Sequence, residues 1–248
     1  MTDRYRKNSL SLPGAVGMGT GVMIGAGIFA LTGQVAELAG PFFPLAFLAA
    51  AVVSGFSAYS YVKLSNAWPS AGGIGMYLQK AYGRSAMTGA GALLMAFSMV
   101  INESLVARTF GTYTLRLFEM PEDDILVPVL AVGLILFAFL VNISGNRVIG
   151  PVSKVSAVLK IAGILAFAAA ALWASGLSLA PLLEAGQAEP ATATGFIAAT
   201  ALAILAYKGF TTITNSGAEL KDPHRNVGRA IVASLAICLI VYLLVSLA

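Results

Sequence analysis

The chain has 248 residues, of which 58% are hydrophobic and only 10% are charged, and its mean hydropathy is +0.85. Soluble globular domains carry about 25% charged residues, so this composition excludes a soluble domain and indicates an integral membrane protein. The net charge of +4 would fit a nucleic-acid partner, but the distribution of the basic residues among the loops explains that charge without one.

Seven apolar stretches are long enough to cross a bilayer as helices, which takes about 20 residues each. They are too long for barrel strands and lack the alternation of such strands, so we predict an all-α, polytopic membrane helix bundle that forms one transmembrane domain over residues 1–248. The first stretch is too long for a cleavable signal peptide and is interpreted as a span. The stretches lie at approximately 10–36, 41–65, 86–110, 125–143, 152–176, 194–218 and 229–248.

The basic residues fall mainly on one side of the predicted spans. If the N-terminus is cytoplasmic, the inner segments hold eleven of the fifteen Lys and Arg residues, and the outer segments hold most of the acidic ones. Because cytoplasmic loops are rich in Lys and Arg, we predict a multi-pass protein of the cell (inner) membrane with its N-terminus in the cytoplasm. The inner basic residues are Arg4, Arg6, Lys7, Lys63, Lys80, Arg84, Arg147, Lys154, Lys221, Arg225 and Arg229.

The first span contains an unusual number of glycines, although each costs about 1 kcal/mol relative to alanine inside a helix. Gly17, Gly21 and Gly25 recur every four residues, a spacing that lets two helices pack closely. Gly25 and Gly27 lie on different faces, however, so packing alone does not require both. The alternative is a discontinuity at Gly25, Ala26 and Gly27, which is tolerated in a membrane where the backbone is buried or lines a cavity.

The segment between the second and third spans, residues 67–85, reads AWPSAGGIGMYLQKAYGRS. Its proline and paired glycines end the preceding helix, and Met76, Tyr77, Leu78 and Tyr82 form an apolar face. We therefore predict a short amphipathic helix at the cytoplasmic interface.

Two ionisable side chains fall deep inside predicted spans, where such groups are costly and usually functional. Glu103 of the third span either pairs with Arg108 or faces the pathway and senses substrate or protons. Lys160 of the fifth span lies about nine residues into its helix, roughly 13 Å at 1.5 Å per residue. A lysine can extend its side chain to the interface, but a desolvated lysine has a lowered pKa and could exchange a proton in coupling.

The sixth span favours the discontinuity in the first. Its apolar run stops at Ala206, where Tyr207, Lys208 and Gly209 intervene, and polar residues follow on one side only. Two interrupted spans in corresponding positions of two repeats are a sequence sign of a transporter's binding site. The N–H groups that begin the second half of a broken helix suit a carboxylate, and the carbonyls that end the first half suit an ammonium. The pattern therefore predicts a site for a zwitterion such as an amino acid.

Three motifs in this order resemble those of the amino acid–polyamine–organocation (APC) superfamily of permeases. They are GAGIF at 25–29, WPSAGGIGMYLQKAYG at 68–83, and AYKGF at 206–210 with AELKDPHRNVGRAI at 218–231. The resemblance implies a five-helix inverted-repeat fold with discontinuous first and sixth helices. Residues 10–176 would form the first repeat, and residues 194–248 would begin the second. It also implies secondary active transport of amino acids or amines by alternating access.

The resemblance also implies roles for particular residues. The N–H groups of Ala26, Gly27 and Ile28 would face the substrate carboxylate, and Tyr207 or Phe210 would act as the gate because Leu205 stands where several relatives have an aromatic residue. Lys160 matches a lysine that in relatives lies near the first break. That lysine occupies the region of the sodium site of sodium-coupled cousins, so the expected coupling is to protons or by exchange, not to sodium. The implied substrate-binding residues are Ile24, Gly25, Ala26, Gly27, Ile28, Phe29, Leu205, Ala206, Tyr207, Gly209 and Phe210.

Other classes of function fit the sequence less well. One histidine and one cysteine do not supply the cluster of polar groups that a membrane enzyme needs, so we predict no enzyme, no metal and no cofactor. His224, in the inner loop after the sixth span, is expected to be solvated.

The family pattern has at least ten core helices and this chain stops in the seventh, so we expect a truncated permease. The alternative function is a non-transporting fragment or partner subunit. The substrate's identity, the choice between symport and exchange, and the oligomeric state stay open.

Overall fold

A computed structural model describes residues 9–121, 125–143, 146–174 and 192–247. Within these ranges the chain is helical, and the only extended pairing is an isolated parallel bridge between Leu10 and Leu220. The predicted all-α bundle is confirmed. The helices are α1 (Leu12–Val22), a π-helix (Met23–Leu31), α2 (Thr32–Ala39), α3 (Phe43–Ala67), α4 (Gly73–Tyr82), α5 (Ala86–Leu117), α6 (Leu126–Ile143), α7 (Asn146–Ala174), α8 (Ala193–Ala206), a 3₁₀ turn (Tyr207–Gly209), α9 (Phe210–Asn215) and α10 (Pro223–Leu247), with further 3₁₀ turns at Gly40–Phe42 and Gly217–Glu219.

The apolar helices show that the chain is a multi-pass membrane protein. Each of the seven predicted spans coincides with apolar helix in the described part of the chain. Four runs are long and apolar enough to cross a membrane, namely Thr32–Ala67, Ala86–Leu117, Ala193–Asn215 and Pro223–Leu247. Three apolar runs are shorter, namely Leu12–Gly25, Leu126–Val141 and Val158–Trp173.

Three of the helices begin at a hydroxyl side chain. Ser11 caps α1, Ser85 caps α5 and Thr192 caps α8, and each accepts a hydrogen bond from the N–H three residues further on at 3.1 to 3.3 Å. Such caps satisfy one of the backbone N–H groups that the first turn of a helix leaves without a partner. The starts of these spans are therefore encoded locally.

The core of the bundle lies where the π-helix, α3, α8 and α10 meet. Three aromatic rings fill its centre: the ring of Tyr242 lies 4.9 Å from that of Tyr207 and 5.1 Å from that of Phe47, between centroids. All three side chains are buried. Aromatic pairs at such distances add to the stabilisation that burial provides.

The predicted short helix after the second span is confirmed as α4. Tyr77 anchors it, because its buried hydroxyl lies 2.7 Å from the hydroxyl of Ser65 at the end of α3. Burial raises the pKa of Tyr77, and the hydrogen bond to Ser65 lowers it to a smaller extent. The phenol therefore keeps its proton at neutral pH and can share it with Ser65.

The segment after the sixth span, which runs into the first turns of α10, also attaches to the end of α3. His224 is exposed, as expected, but its Nδ1 lies 2.8 Å from the carbonyl oxygen of Asn66, and the side chain of Asn66 accepts a hydrogen bond from the N–H of Gly228 at 3.1 Å. Leu10 pairs with the same segment, just before α10, through the bridge to Leu220. The segments predicted to be cytoplasmic thus contact one another directly.

A glycine allows α5 and α6 to approach closely. A Cβ built on Gly111 would lie 2.6 Å from the carbonyl oxygen of Val127, a backbone atom that cannot move aside, whereas a Cβ on Gly133 of α6 meets no described atom within 4 Å. We predict that Gly111→Ala lowers the free energy of unfolding by about 1–3 kcal/mol, as overpacking does. Gly133→Ala, the control, leaves stability unchanged or higher, because alanine favours helix.

Thermal unfolding of both purified variants in one detergent would check this prediction. Equal melting temperatures for Gly111→Ala and Gly133→Ala would show that the close approach of α5 to α6 is wrong.

Candidate functional site

The first helix changes its winding at the predicted place. Met23–Leu31 is π-helical between α1 and α2, and this stretch is called the first break below. A π-helix bonds each N–H to the carbonyl five residues earlier, and such turns occur frequently at functional sites. An unwound segment was expected here, but the stretch is wound as a π-helix. Its backbone therefore stays hydrogen-bonded within the helix.

The sixth span changes its winding at the predicted place as well. Tyr207–Gly209 forms a 3₁₀ turn between α8 and α9, and this turn is called the second break below. The turn is tighter than α-helix, whereas the first break is wider. Both interruptions foreseen in the sequence are therefore changes of helix type.

The two breaks pack directly against each other, and a glycine on each side makes the contact possible. A Cβ built on Gly209 would lie 2.6 Å from Cγ and 2.9 Å from the backbone nitrogen of Met23. A Cβ built on Gly27 would lie 2.8 Å from Cβ of Ala206 and would also collide with the hydroxyl of Tyr242. Neither position tolerates a side chain without separating the two helices.

Tyr242 of α10 joins the two breaks. Its hydroxyl lies 2.7 Å from the carbonyl oxygen of Met23 and 3.0 Å from that of Ala206, and its side chain is 1% exposed. Met23 is the first residue of the first break and Ala206 is the last residue before the second, and the one hydroxyl proton of Tyr242 is shared between their carbonyls. The sequence analysis did not identify Tyr242; the available signal was a phenol inside the apolar run LIVYLLV, since a buried tyrosine hydroxyl usually finds a partner.

A large cavity borders the first break on the side away from Tyr242. It has a volume of about 610 Å³ and is called the first cavity below. Its polar lining groups include Asn102 and Glu103 of α5 and Lys160 of α7, facing Gly21 and Gly25 of the first helix. The cavity therefore lies among the first, third, fourth and fifth predicted spans.

Among the described residues the glycine stripe packs against no helix, whereas one of the two interpretations of its spacing was close helix packing. A Cβ built on Gly17 or Gly21 meets no described atom within 4 Å, and one on Gly25 meets only Nζ of Lys160, at 3.1 Å. Gly21 and Gly25 line the first cavity, while the close contacts of this helix are made by Gly19 and Gly27. The two sets serve different faces, which is why one spacing does not account for all the glycines.

A smaller cavity borders the second break. It has a volume of about 270 Å³ and lies between the first helix, α5 and the second break; it is called the second cavity below. Lys208 of the second break reaches across it, and its Nζ donates a hydrogen bond to the hydroxyl of Ser98 on α5. Its lining residues are Val22, Met95, Ser98, Met99, Asn102, Glu103, Leu205, Ala206, Lys208, Gly209, Thr211 and Thr212.

The structure distributes the predicted substrate-binding residues between the cavities and the packed core. Gly25 lines the first cavity, and Leu205, Ala206 and Gly209 line the second. Ile28 is half-buried against the core and Ile24 is fully buried in it. The side chains of Ala26 and Phe29 lie outside the described part of the structure.

The two aromatic residues predicted as gates are buried between helices. The hydroxyl of Tyr207 donates to the carbonyl of Phe47 at 3.3 Å, and the ring of Phe210 packs edge-on to that of Tyr61 at 5.3 Å. Neither side chain is more than 4% exposed. In this conformation both contribute to packing around the second break, and their role as gates stays a prediction.

The two ionisable residues predicted for coupling face cavities. Lys160 places its ammonium beside Gly25 of the first break, and Glu103 lines both cavities. Glu103 forms no ion pair with Arg108 among the described residues, so the simpler expectation of a pair is wrong. Five residues along a helix amount to a rotation of about 140°, which turns the two side chains away from each other.

A bundle of membrane helices with two interrupted spans in contact, each break bordering a cavity, is the architecture of membrane transporters. The sequence model of the amino acid permease family matches residues 10–248. The chain belongs to this family, which lies within the APC superfamily and consists of transporters, not of enzymes.

Three relatives show the extent of the similarity. An uncharacterized protein of Methanocaldococcus jannaschii is 33% identical over 242 residues, and the inner membrane transport protein YbaT of Escherichia coli is 30% identical over 239 residues. Each alignment covers 96% of this chain and 54% of the relative. The branched-chain amino acid permease BcaP of Lactococcus lactis is 27% identical over 262 residues, covering 99% of this chain and 56% of the relative. The chain thus spans about half the length of these relatives.

The hydroxyl of Tyr242 is expected to stabilise the contact between the two breaks. We predict that Tyr242→Phe keeps the aromatic packing but leaves two buried carbonyls without this donor, at a cost of about 1–3 kcal/mol. Tyr59→Phe is the matched control, because the side chain of Tyr59 is 64% exposed on α3.

Chemical or thermal unfolding in detergent, followed in parallel for both variants, gives the comparison. If Tyr242→Phe were as stable as Tyr59→Phe, the shared hydrogen bond would contribute nothing and its assigned role would be wrong.

Proposed function

We propose that this chain serves secondary active transport of amino acids or related amines across the cytoplasmic membrane. Transport proceeds by alternating access, with the N-terminus in the cytoplasm, and is coupled to protons or runs as exchange. The observation that carries this proposal is the direct contact of the two breaks, which brings two sets of helix-end backbone groups beside two cavities inside the membrane.

The breaks offer the chemistry that an amino acid requires. The carbonyls of Met23 and Ala206 lie where the regular first half of each interrupted helix gives way to the break. Both accept a hydrogen bond from the hydroxyl of Tyr242, which lies outside their own helices. The ammonium of an amino acid, like the hydroxyl of Tyr242, donates hydrogen bonds and so suits these carbonyls. The N–H groups of Ala26, Gly27 and Ile28 become available to a carboxylate when the π-helix opens, because N–H groups at the start of a helix suit an anion.

The relatives support amino acids as the substrate class. One is named for branched-chain amino acids, and another is named only as an inner membrane transport protein. The residues Ile24 to Phe29 and Leu205 to Phe210 are the proposed binding region. Lys160 is the proposed coupling residue because its ammonium lies beside the first break at the edge of the first cavity.

The alternative is a chain that does not transport by itself but acts as a fragment or partner subunit. The relatives are about twice its length, and their activity belongs to their full sequences. Uptake by the 248-residue chain alone separates the two possibilities.

The test is uptake of a pooled, radiolabelled mixture of amino acids into proteoliposomes, with and without an inward proton gradient. We expect uptake above that of empty liposomes, and stimulation by the gradient if protons are coupled. Lys160→Ala is expected to reduce uptake under the gradient to the level without it, because the ammonium beside the first break is lost. Lys80→Ala is the control, since Lys80 lies on the short helix α4 away from both cavities.

Each result has a distinct meaning. Uptake without any stimulation by the gradient supports exchange, and an equal response of Lys160→Ala and wild type contradicts the coupling role of Lys160. Absence of uptake by well-folded protein contradicts autonomous transport and supports the partner-subunit alternative.

A further inference from the structure

Two neighbouring helices, α3 and α10, lie side by side and run in opposite directions. Near the start of α3, Phe47 contacts Tyr242 from the last turns of α10, with ring centroids 5.1 Å apart. At the other end of the pair, a Cβ built on Gly228 of α10 would lie 2.8 Å from Cγ1 of Val62 and 2.8 Å from Nδ2 of Asn66 on α3. The last turns of α3 therefore pack against the first turns of α10.

One face of α3 is exposed along the whole length of the helix. Its residues recur at intervals of three or four, the spacing of a single helix face, and the side chain of Phe56 is 77% exposed. This face is apolar up to its last turn, where Nζ of Lys63 lies 5.4 Å from the ring centroid of Tyr59. Its members are Leu45, Leu48, Val52, Phe56, Tyr59 and Lys63.

An exposed face of α10 has the same character. It begins with Arg225 and Arg229, which lie about one turn apart and are both exposed. Apolar side chains follow at intervals of three or four, namely Val232, Ala236 and Ile240. Each of the two faces thus joins an apolar strip to cations at one end, and that end is the same for both helices.

The two faces lie on the same side of the helix pair. The two arginines stand three residues before and one residue after Gly228, which contacts α3. Tyr59 and Lys63 stand at the same offsets from Val62, which contacts α10. At about 100° per residue, both faces are turned by about 80° from the line of contact in the same sense of winding. Because the helices run in opposite directions, equal turns point to the same side, so the two faces border one groove.

The cations at the end of this groove have no carboxylate partner in the described part of the chain. Lys63, Arg225 and Arg229 are exposed, and Asp222, the acidic residue nearest to the arginines in the sequence, forms no ion pair with them. Residues 38–102, which include α3, contain no acidic residue. Guanidinium and ammonium groups form strong hydrogen bonds to phosphate. The end of the groove therefore favours an anion.

We propose that the groove between α3 and α10 binds an anionic phospholipid of the surrounding bilayer. Its phosphate bonds to Lys63, Arg225 and Arg229, and its acyl chains lie along the apolar strips of the two helices. Tyr59 then lies at the depth of the headgroups, where tyrosines are enriched. Basic clusters beside a membrane helix attract anionic lipids, and the two strips distinguish a bound lipid from a free anion. None of these residues lines either cavity, so the inference does not depend on the substrate.

Native mass spectrometry of the full 248-residue chain in detergent, with added phosphatidylglycerol, tests the assignment. Phosphatidylcholine with the same acyl chains is the comparison. We expect phosphatidylglycerol to bind at least about fivefold more tightly, the factor expected for one cation near a membrane surface, and this preference to fall as the salt concentration rises. Free glycerol phosphate, which lacks the acyl chains, is expected not to compete at an equal concentration.

Lys63→Gln combined with Arg229→Gln should reduce the preference for phosphatidylglycerol at least about fivefold. Lys63→Arg combined with Arg229→Lys should keep it, because both charges remain. Lys80→Gln combined with Arg84→Gln is the matched control, since it removes the same charge from α4 and the segment after it, which are predicted to lie at the same membrane surface. The ratio of the two lipid affinities within one variant is independent of how much protein is folded.

Three results would overturn the inference. Wild type with no preference for phosphatidylglycerol has no such site, and an equal loss in the site and control variants would show a general attraction of basic residues to anionic lipid. Competition by glycerol phosphate as strong as that by the lipid would show a site for a free anion. Because lipid binding is measured without any amino acid, each of these results leaves the proposed transport function untouched.

Discussion

The contact between the two breaks is the constraint on which the rest of this structure depends. A membrane interior has no water to satisfy backbone groups, so irregular helix is stable there only where the protein supplies partners. Here the hydroxyl of Tyr242 reaches the carbonyls of Met23 and Ala206 together, and the rings of Tyr207 and Phe47 enclose it. The two irregular turns are therefore stabilised by one shared donor from a third helix.

Glycine on the first helix separates the packed face from the cavity face. Gly19 and Gly27 lie where a side chain would strike a neighbouring helix, whereas Gly21 and Gly25 lie where it would project into the first cavity. The absence of side chains at the second pair leaves room for the ammonium of Lys160 beside the helix. One glycine-rich segment thus provides close packing on one face and open volume on another.

The sequence allowed the architecture and the positions of the two breaks to be predicted, because both depend on local composition. Apolar length indicated the spans, and the interruptions at Gly25 and at Tyr207 to Gly209 indicated the breaks. The winding of each break was not predictable, since π and 3₁₀ turns differ from an unwound segment only through contacts made by other helices. The role of Tyr242 was missed for the same reason: its partners lie 219 and 36 residues away. The pairing of Glu103 with Arg108 failed because sequence proximity was weighed without the rotation that five helical residues introduce.

The account's central claim is that the two breaks act together as one binding region. Hydrogen–deuterium exchange of the purified chain in nanodiscs, with and without amino acid, measures this most directly. The account predicts that ligand changes exchange in peptides covering residues 23–31 and 205–212 together, while peptides from α6 stay constant. A change confined to one break, or located only in α6, would contradict it.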